Sequence, residues 1–146
     1  MGVIYSVFPV DSEVREWLIT EGLSLPDSDG HAPTPQQLKA ALETLHDQAI
    51  SFNIGERVWQ AQIDDLNSPE TGPWTVINVI DYTSPDEPCA FYFEKGWPEL
   101  IIKVVHRITQ QAGPVVVVPD TGCPAVVVEP VSDVSEIINT WAHMTG

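Results

Sequence analysis

The chain has 146 residues, 43% of them hydrophobic, and carries 21 Asp and Glu against 6 Lys and Arg. This length corresponds to one domain, with enough apolar side chains for a core that needs neither metal nor disulfide. A formal net charge of −15 argues against direct binding of nucleic acid or anionic lipid, because such a surface repels phosphate groups. No apolar segment approaches the ~18 residues of a membrane span, and no signal-peptide pattern opens the chain, so we expect a cytoplasmic protein.

The N-terminal third predicts one strand followed by two helices. Residues 3–8, "VIYSVF", are β-branched or aromatic at most positions and end before a proline, which favours a strand. Asp11 or Ser12 can cap a short helix that extends to about Glu21. After a loop rich in Pro, Ser, Asp and Gly, Thr34 is placed to cap a second helix, with proline at its first position and glutamine three residues after the cap.

The middle of the chain predicts four consecutive strands, because apolar and polar residues alternate there and Gly, Pro, Asn and Asp separate the alternating runs. The predicted strands occupy residues 50–54, 57–63, 74–83 and 89–95. A polar loop, "DDLNSPETGP", separates the second from the third, and a tight acidic turn, "SPDEP", separates the third from the fourth.

The C-terminal third predicts a helix, a hairpin and a last helix. Apolar residues at helical spacing begin near Pro98 and stop at Gly113. Two valine runs within residues 115–128 indicate a hairpin, and Ser132 or Asp133 can cap the final helix. The whole chain, residues 1–146, is therefore predicted to be a single α+β domain in the order β-α-α-β-β-β-β-α-β-β-α, with helices packed on a mostly antiparallel sheet.

The segment Asp120-Thr121-Gly122 between the valine runs resembles the signature of the aspartic proteases, in which two such carboxylates share a proton. That family continues with a small residue, whereas Cys123 and Pro124 follow here. It also needs an apolar-apolar-Gly segment well downstream, and Gly146 is the one glycine that remains. Pro, Asp and Gly are typical turn residues, so we interpret Asp120 as part of a hairpin turn.

No catalytic or metal-binding constellation is visible among the cysteines and histidines. Cys89 with His106, or Cys123 with His143, would be possible nucleophile–base pairs, but neither pair lies in a known local signature. The spacing of these residues matches no zinc site, and no phosphate-binding loop is present. We predict no metal, no cofactor and no enzymatic activity, and His106 is predicted to be a solvated surface residue.

The five tryptophans divide into two groups. Trp17, Trp59 and Trp141 lie on predicted apolar faces and are predicted to be in the core. Trp74 and Trp97 lie at the starts of elements, where a half-exposed aromatic ring can anchor a protein interface.

The segment "FYFEKGWPELIIKVVHRITQQAGPVVVVPDTG" joins an apolar helix to the valine hairpin. The chain resembles the immunity proteins that bacteria make against secreted toxins. The shared features are this segment, the size of the chain, its α+β order and its acidity. The resemblance implies a non-catalytic inhibitor of an interbacterial effector, such as a type VI secretion effector. It would block the basic active-site cleft of this cognate toxin by electrostatic complementarity.

The acidic, cation-poor middle of the chain supplies the candidate binding residues, because residues 58–94 contain no Lys or Arg. The predicted partner-binding residues are Asp64, Asp65, Glu70, Trp74, Asp86, Glu87 and, at the hairpin tip, Asp120. Two alternatives remain open at this point. One is a small enzyme that uses Cys and His, and the other is an assembly chaperone or adaptor for a secreted protein.

Overall fold

The computed structural model describes residues 3–121 and 124–142, and it has the predicted α+β architecture. The strands are β1 (Ile4–Pro9), β2 (Gln48–Ile54), β3 (Trp59–Asp65), β4 (Trp74–Ile80), β5 (Ala90–Glu94), β6 (Val115–Pro119) and β7 (Val126–Val128). The helices are α1 (Ser12–Thr20), α2 (Pro35–Leu42), α3 (Pro98–Ala112) and α4 (Val134–Ile137), and a π-helical turn, Ile138–Ala142, continues the last. The predicted order of elements is confirmed.

All seven strands belong to one antiparallel sheet, in the order β2-β3-β4-β5-β1-β6-β7. β2 to β5 follow one another across the sheet as a meander, and β1 then inserts between β5 and β6. The valine hairpin is confirmed in the described residues, because Val115 pairs with Val128 and Val117 with Val126. No described helix is long and apolar enough to cross a membrane.

The helix starts follow the predicted capping chemistry. The Asp11 side chain accepts a hydrogen bond of 3.0 Å from the backbone N–H of Val14. At α2, the Thr34 hydroxyl accepts from the Gln37 N–H, while the Gln37 side chain accepts from the Thr34 N–H. Each such cap satisfies backbone donors that have no partner inside the helix, and its loss costs typically about 1 kcal/mol.

The main core lies between one face of the sheet and helices α2 and α3. The apolar stripe of α3 packs there together with inward-facing residues of the central strands, among them Ile63, Ile77 and Phe93. Full burial of one such side chain contributes roughly 1.5–3 kcal/mol, so α3 and the central strands hold the fold together. Trp59 and Trp141 belong to this core, as predicted.

The opposite face of the sheet is covered only at one end in the described part of the chain. Helix α1 packs over β6 and β7 and forms a second, smaller core with Leu18, Val10 and Val116. β6 is therefore enclosed on both faces, which explains its unbroken valine run, since strands buried on both sides lack polar alternation.

The structure corrects three of the sequence-based expectations. Trp17 is 38% exposed, because Leu18 and not its neighbour Trp17 points into the small core under α1. β4 ends at Ile80, before Thr83, since Asp81 adopts a left-handed backbone conformation with φ 52° that breaks the strand. His106 is half-buried, and its Nε2 lies 3.1 Å from the carbonyl oxygen of Pro130.

Candidate functional site

The sheet surface that faces away from α2 and α3, over strands β1 to β5, is called here the open face. Side chains alternate along each strand, so the residues on either side of a buried one belong to this surface. In β4, for example, Thr75 and Ile77 are buried, whereas Trp74, Val76 and Asn78 are half-exposed. No described helix packs over these strands on this side, so the open face is available to a partner.

Large apolar side chains are spread across the open face. The half-exposed or exposed ones are Ile4, Phe8, Trp74, Val76, Ile80 and Tyr92. In the strand register, Tyr92 lies between Ser6 and Asn78, and Glu94 lies between Ile4 and Val76, so apolar and polar side chains are interspersed across the surface. A surface that mixes exposed apolar side chains with polar ones is typical of a protein-interaction site.

Polar side chains on the same face form a connected hydrogen-bond network. Gln60 donates to Asn78 at 2.8 Å, and Asn78 in turn donates to the Glu94 carboxylate at 3.3 Å. Separately, Gln62 donates to the Asp64 carboxylate at 3.2 Å. These amide donors hold both carboxylates in place, so little side-chain entropy remains to be lost when a partner binds.

The charges that the strands place on the open face are all negative. Asp64 and Glu94 are the charged strand residues there, and no Lys or Arg occupies an open-face position in the registers of β1 to β5. Asp64 pairs directly with Trp74, which places a carboxylate beside the largest aromatic side chain of the surface. Lys95 follows Glu94 at the end of β5, and Arg57 lies exposed in the turn between β2 and β3, so two cations lie at the rim.

A tight corner positions Trp74 and Glu94. The N–H of Trp97 donates to the carbonyl oxygen of Trp74 at 3.1 Å, and the Thr75 hydroxyl donates to the carbonyl oxygen of Lys95 at 2.9 Å. Gly96 lies between these contacts with φ 104°, a conformation that glycine adopts without steric cost. The corner thus fixes the start of β4 against the end of β5.

The structure brings some of the predicted binding residues together and separates others. Asp64 and Trp74 are neighbours on the open face, Glu70 lies exposed in the adjoining loop, and Asp120 lies at the same end of the sheet. Asp120 also has a structural role: its carboxylate accepts from the Ile4 N–H at 3.1 Å, while its own N–H donates to the Ile4 carbonyl oxygen. Asp120 and Thr121 form a turn directly after β6, in agreement with the turn interpretation.

The remaining three predicted residues lie elsewhere. Asp65 faces the helix side of the sheet, and its Oδ1 accepts from the N–H groups of Asn67 and Ser68 in the following turn. Asp86 and Glu87 lie in the loop after β4, whereas Trp74 begins this strand, which is about 20 Å long at ~3.3 Å per residue. The seven residues therefore do not form one continuous site.

Sequence reasoning missed an apolar groove that adjoins the open face. Phe8 and Trp17 line it, 46% and 38% exposed respectively, together with valines of α1 and β6 and with Glu13 at the rim. Its volume is about 360 Å³, large enough for an aliphatic or aromatic side chain. The alternation of residues 3–8 indicated that Phe8 and its neighbour Val7 point to opposite faces of the sheet. The position of α1, which completes the groove, could not be predicted from the sequence.

Three of the six Lys and Arg residues lie on the helix side of the sheet, Lys39 in α2 and Lys103 and Arg107 in α3. A polar cavity of about 650 Å³ at the ends of β2 and β3 is lined by Lys103 and Arg107 of α3, and by His46 and His106. Asp47 and Asp65 line the same cavity, so it carries charges of both signs. The open face is negative because its strands contribute Asp64 and Glu94 and no Lys or Arg.

The Cys89 thiol has no activating neighbour in the described part of the chain. Its Sγ donates to the carbonyl oxygen of Pro33 at 3.3 Å, and burial raises the pKa of this thiol to about 11. The small cavity beside it contains no histidine among its lining residues. A thiolate nucleophile requires the opposite shift, so Cys89 gives no support to a thiol-based enzyme. Cys123 and His143, the other pair considered, lie outside the described residues.

We predict that Cys89 is alkylated slowly by iodoacetamide. In a Cys123→Ser variant at pH 8, the rate is expected to be about 100-fold below that of the same chain unfolded in urea, because so little thiolate is present. The rate should rise about tenfold per pH unit towards pH 11. Stability should fall over the range from pH 9 to 11, because the unfolded thiol ionises before the folded one. Equal rates for the folded and unfolded chains would contradict the assignment of a buried, protonated thiol.

Among residues 3–121 and 124–142, no group of three or more His, Cys, Asp or Glu side chains is arranged to hold a metal ion. Comparison with known proteins found no matching family model, no matching curated protein and no matching solved structure.

Proposed function

We propose that this protein is a non-catalytic immunity protein, which binds a cationic secreted toxin through the open face and so blocks the toxin's active-site cleft. The observation that carries this proposal is the uncovered sheet surface on which Trp74 lies beside Asp64. A binding surface of this kind needs no reacting groups, because occlusion of the cleft is sufficient to inhibit.

The charge distribution supports a basic partner. With a net charge of −15 and no strand cation on the open face, the protein attracts a positively charged cleft from a distance and increases the rate of encounter. A toxin that acts on nucleic acid or nucleotides has such a cleft, because it must itself bind phosphate groups. The same charge disfavours acidic proteins, which gives selectivity.

The apolar groups supply the affinity that long-range attraction alone does not give. Trp74 is a suitable anchor, since tryptophan is enriched among residues that dominate binding energy. The groove at Phe8 and Trp17 can accept one apolar side chain of the partner, with Glu13 placed to meet an adjacent Lys or Arg. Asp64 and Glu94, held by Gln62 and Asn78, then meet basic groups of the cleft in a fixed geometry.

The proposal is tested by capture of the partner and measurement of its inhibition. Tagged protein immobilised in a native-host lysate is expected to retain a basic secreted effector, and co-expression is expected to rescue cells from that effector. The dissociation constant of the purified pair should increase at least tenfold between 0.1 and 0.5 M NaCl, because salt screens the attraction.

Three outcomes would contradict the proposal. One is a retained partner whose toxicity is unchanged by co-expression. Another is a dissociation constant that does not respond to salt. The third is a covalent change of the partner, seen by mass spectrometry after incubation with catalytic amounts of this protein, which would indicate an enzyme instead.

A further inference from the structure

The two edges of the sheet differ in their protection against another strand. β7 forms one edge and is three residues long, with Pro124 and Pro130 close to its ends. Short edge strands and nearby prolines are the usual means by which proteins prevent unwanted strand pairing. β2 forms the other edge, is seven residues long, and contains no proline and no charged residue in "QAISFNI".

β2 is also regular along its whole length. Its register with β3 runs without interruption from Gln48 opposite Asp65 to Ile54 opposite Trp59, so no bulge twists the edge away. A long, unbulged, uncharged edge is the form that accepts an additional strand.

The hydrogen bonds at the two ends of the β2–β3 pair show which backbone groups of β2 point outward. Leu66 N–H donates to the Asp47 carbonyl oxygen at 3.1 Å, and Gly55 N–H donates to the Val58 carbonyl oxygen at 2.8 Å. Alternate residues of an antiparallel pair exchange hydrogen bonds, so the odd-numbered residues 47–55 bond to β3. The N–H and C=O groups of Gln48, Ile50, Phe52 and Ile54 therefore point away from the sheet, and the described chain has no strand beyond them.

The side chains of these residues form an apolar border on the helix side of the edge. Ile50 and Phe52 are half-buried against the core, and Ile54 is 44% exposed. Phe52 is held in place by an edge-to-face contact with Trp59, at 5.9 Å between ring centroids, and by Lys39, whose Nζ lies 5.5 Å from the ring centroid. An added strand would cover this border as well as satisfy the backbone groups.

We propose that β2 receives an extended segment of the cationic partner, which adds to the sheet as an antiparallel eighth strand. The charge of this occupant rests on the proposed function, and the edge geometry does not. A second copy of the chain is the poorer occupant, because two molecules of charge −15 repel each other. A fitting segment alternates apolar and basic residues. Its apolar side chains lie on the helix side, beside Ile50 and Phe52. Its basic side chains lie on the other side of the sheet, with Ser51, Asn53 and the open face.

The test uses the acetylated and amidated peptide KVKVKVK with the isotope-labelled protein. In the free protein, the amide hydrogens of Ile50 and Phe52 are expected to exchange fast and those of Ser51 and Asn53 slowly. Saturation with the peptide should shift and protect the first pair. Methylation of the backbone nitrogens of the peptide's valines should abolish binding, whereas methylation of the backbone nitrogens of its lysines should preserve it. The reason is that Ile50 and Phe52 lie directly opposite valines, and in such pairs each residue's backbone N–H bonds to the other residue's carbonyl oxygen.

A variant of β2 provides a second, independent measurement. Ile50→Pro removes one outward donor and no hydrogen bond to β3, and it should weaken peptide binding at least tenfold. Ile50→Ala, which loses the side chain but keeps the donor, is the matched control and should weaken binding less. Equal binding of the three peptides, or shifts that map to the open face and not to β2, would overturn the inference. Such a failure would leave the proposed function standing, because capture and salt dependence of the native partner are measured separately.

Discussion

Replacement of Gly96 by alanine is expected to destabilise the fold by about 3–5 kcal/mol, near the upper end of the effects of single substitutions. Two costs combine at this position. The backbone has φ 104°, which an L-amino acid with a Cβ rarely adopts. In addition, an added Cβ would lie 2.3 Å from the carbonyl oxygen of Trp74 and 2.6 Å from the Cβ of Thr75, so the β4–β5 corner would have to move.

Gly22→Ala is the matched control for this substitution. Gly22 also has a positive φ, 71°, but nothing lies within 4 Å of an added Cβ, so only the conformational cost of about 1 kcal/mol should remain. Denaturant unfolding of both variants gives the comparison, as a shift in midpoint at an unchanged slope. If both variants lost the same free energy of unfolding, a steric clash of the added Cβ with the Trp74 carbonyl group would not be the cause of the Gly96→Ala effect.

The same substitution bears on function, because Gly96 lies under one side of the proposed binding surface. Trp97 N–H bonds to the Trp74 carbonyl oxygen through this corner, and Glu94 ends the neighbouring strand. A shift of the corner by a few tenths of an ångström therefore changes the distance between the aromatic anchor and a carboxylate. Any folded Gly96→Ala protein should bind its partner more weakly than its remaining stability alone would predict.

Local chemistry explains how much of the fold the sequence predicts. The caps at Asp11 and Thr34, and the helix stop at Gly113, depend on residues within four positions of one another, and the structure has all three. The valine hairpin is also close in sequence, because its paired residues, such as Val117 and Val126, are separated by about ten positions. The strand order was not predictable, because the insertion of β1 between β5 and β6 depends on contacts more than 80 residues apart.

The candidate site was predictable in part, for the same reason. Charge depletion along residues 58–94 drew attention to Asp64 and Trp74, and the register places these two residues side by side. It grouped Asp86 and Glu87 with them because sequence distance carries no information about which end of a strand a loop occupies. Trp17 was assigned to the core because its helix has an apolar stripe, but α1 rests on only two strands and leaves the edge of that stripe exposed.

The distance between the two ends of β4 allows a direct test of the binding surface. The double variant Asp64→Lys with Glu94→Lys is expected to weaken binding of the captured basic partner by about 100-fold or more. The two introduced lysines would repel the partner's cations, where the native carboxylates attract them. The fold should tolerate the change, since both side chains lie on the open face and outside the core. Titration calorimetry or surface plasmon resonance gives the affinity, and denaturant unfolding verifies the fold.

The control is Asp86→Lys with Glu87→Lys, at the far end of the same strand. Each Asp or Glu to Lys change adds two charges, so both double variants move the net charge from −15 to −11 and retain the same overall attraction for a distant cation. A difference between them in dissociation rate therefore measures local contacts, whereas a shared decrease in association rate measures the general field. If both double variants lost the same affinity, net charge alone would account for binding, and the open face would have no special role. If only the control variant lost affinity, the binding surface would lie at the Asp86 end of the sheet.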